Sequence, residues 1–250
     1  MIKVAICGAL GKMGANLFEL LSSDGEAEVV CGVDAKSGNI GGREVYSSFS
    51  QIPQKPDVII DFSSPAALGA ELEYATANGV PVVIGSTGFT PEQLKEIDAA
   101  SQKIAVFKTA NFSLGVNLLC DLVKRATQVL GEKFDIEIIE KHHNQKVDAP
   151  SGTALMLADS AKSVAGGGKE YLYGREGACG KRGTEIGLHA VRGGTIVGEH
   201  EVLFCGEDEI ITLSHSARSK KVFAAGAVKA AKWLAGKPAG KYDMGDLLAD

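Results

Sequence analysis

Close to its start the chain reads Ile2-Lys3-Val4-Ala5-Ile6-Cys7-Gly8-Ala9-Leu10-Gly11-Lys12-Met13-Gly14. The apolar half is short and lacks strict alternation, the pattern of a strand covered on both faces. The glycines follow without a break, and Met13 opens a helical pattern that runs to residue 22. A glycine turn between strand and helix lets backbone N–H groups approach a pyrophosphate, and the helix start favours its negative charge. Lys12 adds a direct charge. The spacing is GxxGxxG rather than GxGxxG, so the glycines alone would also fit an ordinary tight turn. Position separates the two readings. Asp34 ends the second apolar run, twenty residues beyond Gly14, where an acidic side chain accepts hydrogen bonds from an adenosine ribose.

Outward from this point, apolar runs at 29–33, 58–62, 82–84 and 104–107 alternate with helical patterns at 13–22, 65–78 and 91–101. That rhythm predicts an α/β domain of the Rossmann type, with a doubly wound parallel sheet. Thr90-Pro91-Glu92-Gln93 marks one helix start, with a hydroxyl cap, a proline at the first helical position and a capping-box glutamine. The loops after the later strands are small and polar: Asp61-Phe62-Ser63-Ser64, Gly85-Ser86-Thr87-Gly88 and Thr109-Ala110-Asn111-Phe112. They fall at the carboxyl edge, where open α/β sheets bind ligands. Asp34 suits an unphosphorylated ribose, while Lys36 and Ser37 stand close enough to hold a 2′-phosphate. Both NADH and NADPH are expected, with a preference for NADH.

Composition bounds the rest. The 250 residues suffice for two modest domains, and 45% hydrophobic with 23% charged residues is ordinary for a globular chain. A formal net charge of −5 argues against a broad nucleic-acid or anionic-membrane surface, and leaves room for a local basic pocket. Five cysteines (Cys7, Cys31, Cys120, Cys179, Cys205) are scattered and never in CxxC spacing. No disulfide framework or zinc site is expected, and a reducing cytoplasm is. The first apolar run is too short for a signal peptide or membrane span.

After Asn111 the rhythm changes. A long helical stretch, 114–130, leads into a strand at 135–141 in which Ile136 and Ile138 flank Glu137. A helix starts at Ser151, with Ala154, Leu157, Ala158, Ala161 and Ala165 on one face, and Gly166-Gly167-Gly168 ends it. Strand-like runs at 186–192, 196–204 and 210–215 follow with short turns, which reads as antiparallel pairing. The expectation is an α+β domain, residues 113–221, with a mixed, mainly antiparallel sheet. An Ala-rich helix at 223–234 returns to the first domain, assigned 1–112 and 222–250.

The densest polar stretch is Glu140-Lys141-His142-His143-Asn144-Gln145-Lys146-Val147-Asp148-Ala149-Pro150-Ser151-Gly152-Thr153-Ala154. It lies between a strand end and a helix start, where loop residues converge on ligands. Two histidines and a lysine supply proton-transfer groups and positive charge. The helix start at Ser151-Gly152-Thr153 suits a carboxylate, which points to a small di-acid. Paired histidines at a strand end also occur as plain surface residues. They lack a third zinc partner at a recognisable spacing, so no metal is assigned. Ser151 reads as a cap, since no G-x-S-x-G elbow surrounds it. Arg192-Gly193-Gly194 and Val197-Gly198-Glu199-His200 line the same pocket or simply turn a hairpin.

These motifs, with Asn111-Phe-Ser-Leu-Gly-Val-Asn117, carry a resemblance along essentially the whole chain to the 4-hydroxy-tetrahydrodipicolinate reductase (dihydrodipicolinate reductase) family of lysine and diaminopimelate biosynthesis. The resemblance implies His142 and Lys146 as catalytic acids, and His143, Gly152 and Thr153 as substrate contacts. It implies that Gly8, Ala9, Leu10, Gly11, Lys12, Met13, Asp34, Gly85, Ser86, Thr87, Thr109, Ala110, Asn111 and Phe112 line NADH or NADPH. It further implies a cytoplasmic homotetramer built through the second domain's sheet, a small dicarboxylate substrate, and domain closure during turnover. Ala35 stands where some members carry Arg directly after the acidic ribose ligand, and Lys220 stands where the family has an Arg. A reductase of another small acid and a cofactor sensor without turnover are the rival readings. A DNA-binding sensor would need a basic recognition helix, which the sequence lacks.

Overall fold

The computed structural model describes residues 1–166 and 168–250. The glycine end of the expected helix therefore falls partly on Gly167, outside the described residues. In chain order the elements are β1 (Ile2–Cys7), α1 (Lys12–Ser22), β2 (Ala27–Val33), β3 (Gly38–Ile40), β4 (Arg43–Tyr46), β5 (Val58–Asp61), α2 (Leu68–Asn78), β6 (Val82–Ile84), α3 (Pro91–Ser101) and β7 (Ala105–Lys108). Then come α4 (Leu114–Leu130), β8 (Asp135–His142), α5 (Gly152–Lys162), β9 (Tyr171–Tyr173), β10 (Ile186–Arg192), β11 (Gly198–Cys205) and β12 (Ile210–Ala217). The chain closes with α6 (Lys221–Leu234), β13 (Gly240–Tyr242) and α7 (Met244–Ala249). It divides into two compact units: Met1–Phe112 with Lys221–Asp250, and Ser113–Lys220. Among the described residues no helix is long and apolar enough to cross a membrane.

The first unit is built on an eight-stranded sheet in the order β13-β7-β6-β5-β1-β2-β4-β3. Every pairing is parallel except the short β3–β4 ribbon. From β1 the chain moves to β2 on one side, then crosses to β5, β6 and β7 on the other. The switch point therefore lies where β1 and β5 end, the crevice in which such sheets hold ligands. The central strands are mostly apolar because both faces are covered: Val4, Ile6, Ile59, Ile60, Val82, Val83 and Ile84 are all fully buried. Each such side chain contributes roughly 1.5–3 kcal/mol by leaving water. At α3 both halves of the Thr90–Gln93 capping box form.

The second unit is a five-stranded sheet, β12-β11-β8-β10-β9. Its inward residues pack against α4 and α5 in one core containing Val116, Val123, Ile136, Ile138, Leu157 and Phe204. The sheet is mixed, but the hairpin expected between 186–192 and 196–204 does not form. The central strand β8 lies between β10 and β11, parallel to β10 and antiparallel to β11. The longer antiparallel ladders, β11–β12 and β11–β8, keep the mixed sheet mainly antiparallel, with β10 the strand that departs from that pattern. The physical reason is that α5 and the segment after it carry the chain from β8 back to the same end of the sheet. The next long strand then pairs parallel to β8. The helix α5 also stops at Lys162, short of the expected Ala165.

Candidate active site

In the first unit the ends of β1, β5, β6 and β7 bring Gly8, Asp61, Gly85 and Thr109 to one edge. Gly8 has φ +80°, and a Cβ there would lie 2.7 Å from the Phe62 carbonyl oxygen. A Cβ on Gly14 would lie 2.4 Å from the Ala9 carbonyl. Both positions therefore require glycine for the turn itself. The helix α1 begins at Lys12 with Gly11 as N-cap and no side-chain cap bond, so no side chain competes with a ligand for the first-turn amides. The carboxylate of Asp34 accepts from Leu10 N at 2.9 Å and from Ala35 N at 2.7 Å. It braces the glycine turn and retains lone pairs on both oxygens for a ribose. Beside it opens a cavity of about 650 Å³ lined by Gly8, Gly11, Asp34, Ala35, Phe62 and Ser63, within the ~300–1,000 Å³ of small-molecule sites. The uncapped helix start, the braced turn and this cavity fit a dinucleotide.

The buried Asp61 ties two further loops together. It accepts from Ser63 N and Oγ at 2.8 and 2.5 Å, and from the Ser86 hydroxyl. Gly85 lies against the Phe62 ring, which a Cβ would approach to 2.4 Å. Phe62 in turn packs on Phe112, with ring centroids 5.6 Å apart. Thr109 and Asn111 bond each other across their turn, while Phe112 is buried. Behind this edge Cys7, Asp61 and Glu71 bring their polar atoms within 4.8 Å of one another, a grouping the sequence did not suggest.

In the second unit a polar cluster occupies one end of the sheet's inner face. Strand parity places it. Ile136, Ile138 and Glu140 point inward along β8, and His200 faces Glu140 from β11. One rung further, Arg192 pairs with His142. Glu140 is fully buried, yet its carboxylate is saturated. Oε1 accepts from Ser151 N at 3.0 Å and Arg192 Nη2 at 2.8 Å, and Oε2 from His142 Nδ1 at 2.6 Å and Arg192 Nη1 at 2.7 Å. Burial pushes this carboxyl upward, but Arg192, His142 and the Ser151 amide outweigh it and hold it below the usual range.

Ser151 caps α5 by accepting from Ala154 N at 3.1 Å, and its Oγ meets His200 Nε2 at 2.9 Å. Burial, then His142, push His200 down to about 4, so its ring is neutral near pH 7. The His142 and His200 rings meet edge to face, centroids 5.2 Å apart. Gly198 leaves room for His142, since a Cβ there would come within 3.1 Å of Nε2. Lys146 reaches both oxygens of the exposed Asp148 at 2.8 Å. Beside the start of α5 a Cβ on Gly152 would meet nothing within 4 Å. Buried polar atoms here have no hydrogen-bond partner: His143 Nδ1, His200 Nδ1 and Arg192 Nε.

The residues picked out in the second unit thus lie on one strand end, one loop and one helix start. Sequence alone gives Glu140 no role, although an acid at the inward position after two buried isoleucines is a signal. From sequence, Arg192 and His200 fit both a pocket and a hairpin turn; parity against β8 places both inward.

A dinucleotide-binding Rossmann unit joined to a unit carrying histidines, a lysine and a helix start open to an anion defines an oxidoreductase of the NAD(P)-dependent class. The chain belongs to the dihydrodipicolinate reductase family: the description of that family's N-terminus matches residues 2–112 and that of its C-terminus residues 115–248. The 4-hydroxy-tetrahydrodipicolinate reductase of Caldanaerobacter subterraneus subsp. tengcongensis is 50% identical over 99% of this chain and 98% of its own. That of Clostridium tetani is 43% identical over 99% and 97%. Among solved structures, a dipicolinate-bound dihydrodipicolinate reductase from Paenisporosarcina sp. TG-14 superposes with a TM-score of 0.81 at 29% identity, covering 97% of each chain.

Proposed function

We propose that the chain reduces 4-hydroxy-tetrahydrodipicolinate to tetrahydrodipicolinate in the cytoplasm, as a step of lysine and diaminopimelate biosynthesis, and that it works as a homotetramer. The observation that carries the reading is the cluster of His142, Lys146 and the α5 start on a chain that also holds the dinucleotide turn. Gly8–Met13, Asp34, Gly85–Thr87 and Thr109–Phe112 would hold NADH or NADPH, which would supply the hydride for a ring carbon of the substrate. Lys146, His143 and the backbone of Gly152 and Thr153 hold the substrate's carboxylates, with Lys146 exchanging Asp148 for the ligand. The ring hydroxyl leaves as water to give the conjugated double bond that takes the hydride at one carbon, and His142 or Lys146 delivers a proton to the neighbouring carbon as negative charge builds there. Asp34 followed by Ala35 favours NADH, since a carboxylate repels a 2′-phosphate and no Arg follows it.

The test is oxidation of NADH and of NADPH, side by side, with substrate formed in place by the preceding synthase from pyruvate and aspartate semialdehyde. Oxidation that requires the synthase product is the expected result. Cofactor binding without such oxidation would overturn the proposal, and faster turnover with NADPH would overturn the cofactor preference.

A further inference from the structure

Four hydrogen bonds converge on Glu140, and three of them come from groups that can only donate. Ser151 N and the two Arg192 nitrogens carry protons under all ordinary conditions. They fill three of the carboxylate's four lone-pair sites, at 3.0, 2.8 and 2.7 Å. The fourth faces His142 Nδ1 at 2.6 Å. The Arg192 guanidinium, a fixed positive charge set bidentately against both oxygens, keeps Glu140 an anion, so its fourth site accepts as well and His142 carries its proton on Nδ1. The histidine's Nε2 is then the nitrogen that can take up and release a proton, and it lies on the side where Gly198 clears space. The other groups that meet this ring do not compete for Nδ1. His200 contacts it edge to face and spends Nε2 on Ser151, while Arg192 spends both terminal nitrogens on Glu140.

We infer that Glu140, clamped by the Arg192 guanidinium and the Ser151 amide, is the positioning residue that fixes which nitrogen of His142 exchanges the catalytic proton. The role rests on His142 serving as an acid in the proposed reaction. The same carboxylate binds the first residue of the α5 start, so the proton donor and the anion-binding amides are held by one side chain. Arg192 acts at one remove. It keeps Glu140 ionised in a buried position, and its Nη2 also holds the Asp148 carbonyl at 2.7 Å, next to the partner of Lys146.

Glu140→Gln tests this, because an amide cannot accept all four bonds. An NH₂ group facing Ser151 would meet two fixed donors, Ser151 N and Arg192 Nη2. Facing His142 it meets one, and the imidazole can answer by moving its proton to Nε2. The variant therefore inverts the tautomer and disfavours the imidazolium, which needs Nδ1–H. The tautomer is read directly by ¹⁵N NMR of histidine-labelled protein, with the His142 signals assigned by their loss in His142→Asn. Arg192→Lys keeps the carboxylate and serves as the second variant.

The expected result is an Nδ1–H ring in the wild type and in Arg192→Lys, and an Nε2–H ring in Glu140→Gln. Turnover in Glu140→Gln should fall by about 10²-fold or more, the scale of a lost general-acid contribution, with KM for NADH little changed. Arg192→Lys should lose roughly tenfold or less. An Nε2–H ring in the wild type, or an unchanged tautomer and turnover in Glu140→Gln, would overturn the inference. Full activity of His142→Asn would instead sink the acid role of His142, while the NMR comparison would still decide what Glu140 does.

Discussion

Both carboxylate oxygens of Glu71 are buried without a hydrogen-bond partner. Burial first, and then the charge of Asp61, raise this carboxyl well above the usual range. Folded, the side chain keeps its proton; unfolded, it loses it above its ordinary value near ~4.3. The native state therefore binds more protons in that window, and stability falls as pH rises, by about 1.4 kcal/mol per pH unit, until the raised native value is reached. Glu71→Gln cannot titrate and should lose this slope. Urea unfolding of both proteins at rising pH should show the variant gaining on the wild type once the pH passes the ordinary carboxyl range. Parallel curves would mean that Glu71 is already paired. The buried His200 has the opposite sign. Its depressed native value costs stability as pH falls from ~6.5 toward about 4.

Among the elements, α5 joins fold to site through its cap. Ser151→Ala removes the bond to Ala154 N and the contact with His200 Nε2. Loss of an N-cap costs typically ~1 kcal/mol, and here it also loosens the first turn that presents Gly152 and Thr153. Thermal melts should show a lower Tm, and kinetics a raised KM for the dicarboxylate at unchanged KM for NADH; equal KM values for the dicarboxylate would detach the cap from binding. That cap was legible in the sequence, as were the Thr90–Gln93 box and the glycine turn, because each is written in neighbouring residues. The three-residue strands Gly38–Ile40, Tyr171–Tyr173 and Gly240–Tyr242 were not. They are too short to show a periodic pattern and exist by pairing with a neighbour. The place of β8 between β10 and β11 was hidden for a related reason. Strand order is set by what the crossover through α5 allows, and short turns in sequence imitate a hairpin. Glu140 was legible in part. Its parity marks it as inward, but its meaning depends on Arg192, 52 residues away.

At the scale of the whole molecule, the second unit's sheet offers the surface through which the proposed homotetramer would form. The helices α4 and α5 pack on the face that carries Ile136, Ile138 and Phe204. The opposite face carries Glu137, Ile139, Lys141, Glu201 and Leu203, all only partly buried in the single chain. Its charges are largely paired. Arg175, Arg182 and His189 all bond Glu137, and although burial opposes ionisation they hold its carboxyl down to about 2. Lys141 bonds Glu201 at 2.7 Å. A face of paired ions around apolar Ile139 and Leu203 can be covered at modest desolvation cost, whereas an added unpaired charge cannot. Ile139 sits at the middle of the central strand, directly opposite Glu201, so Ile139→Asp places two like charges side by side on this face. Light scattering after size exclusion should give the mass of four chains for the wild type and a smaller assembly for the variant. Because the inner-face cluster of Glu140 and His142 points the other way from the same strand, cofactor binding to the first unit should survive the change. A wild-type protein that runs as a single chain at micromolar concentration would remove the tetramer from the proposal, and a variant that stays tetrameric would move the interface off this face.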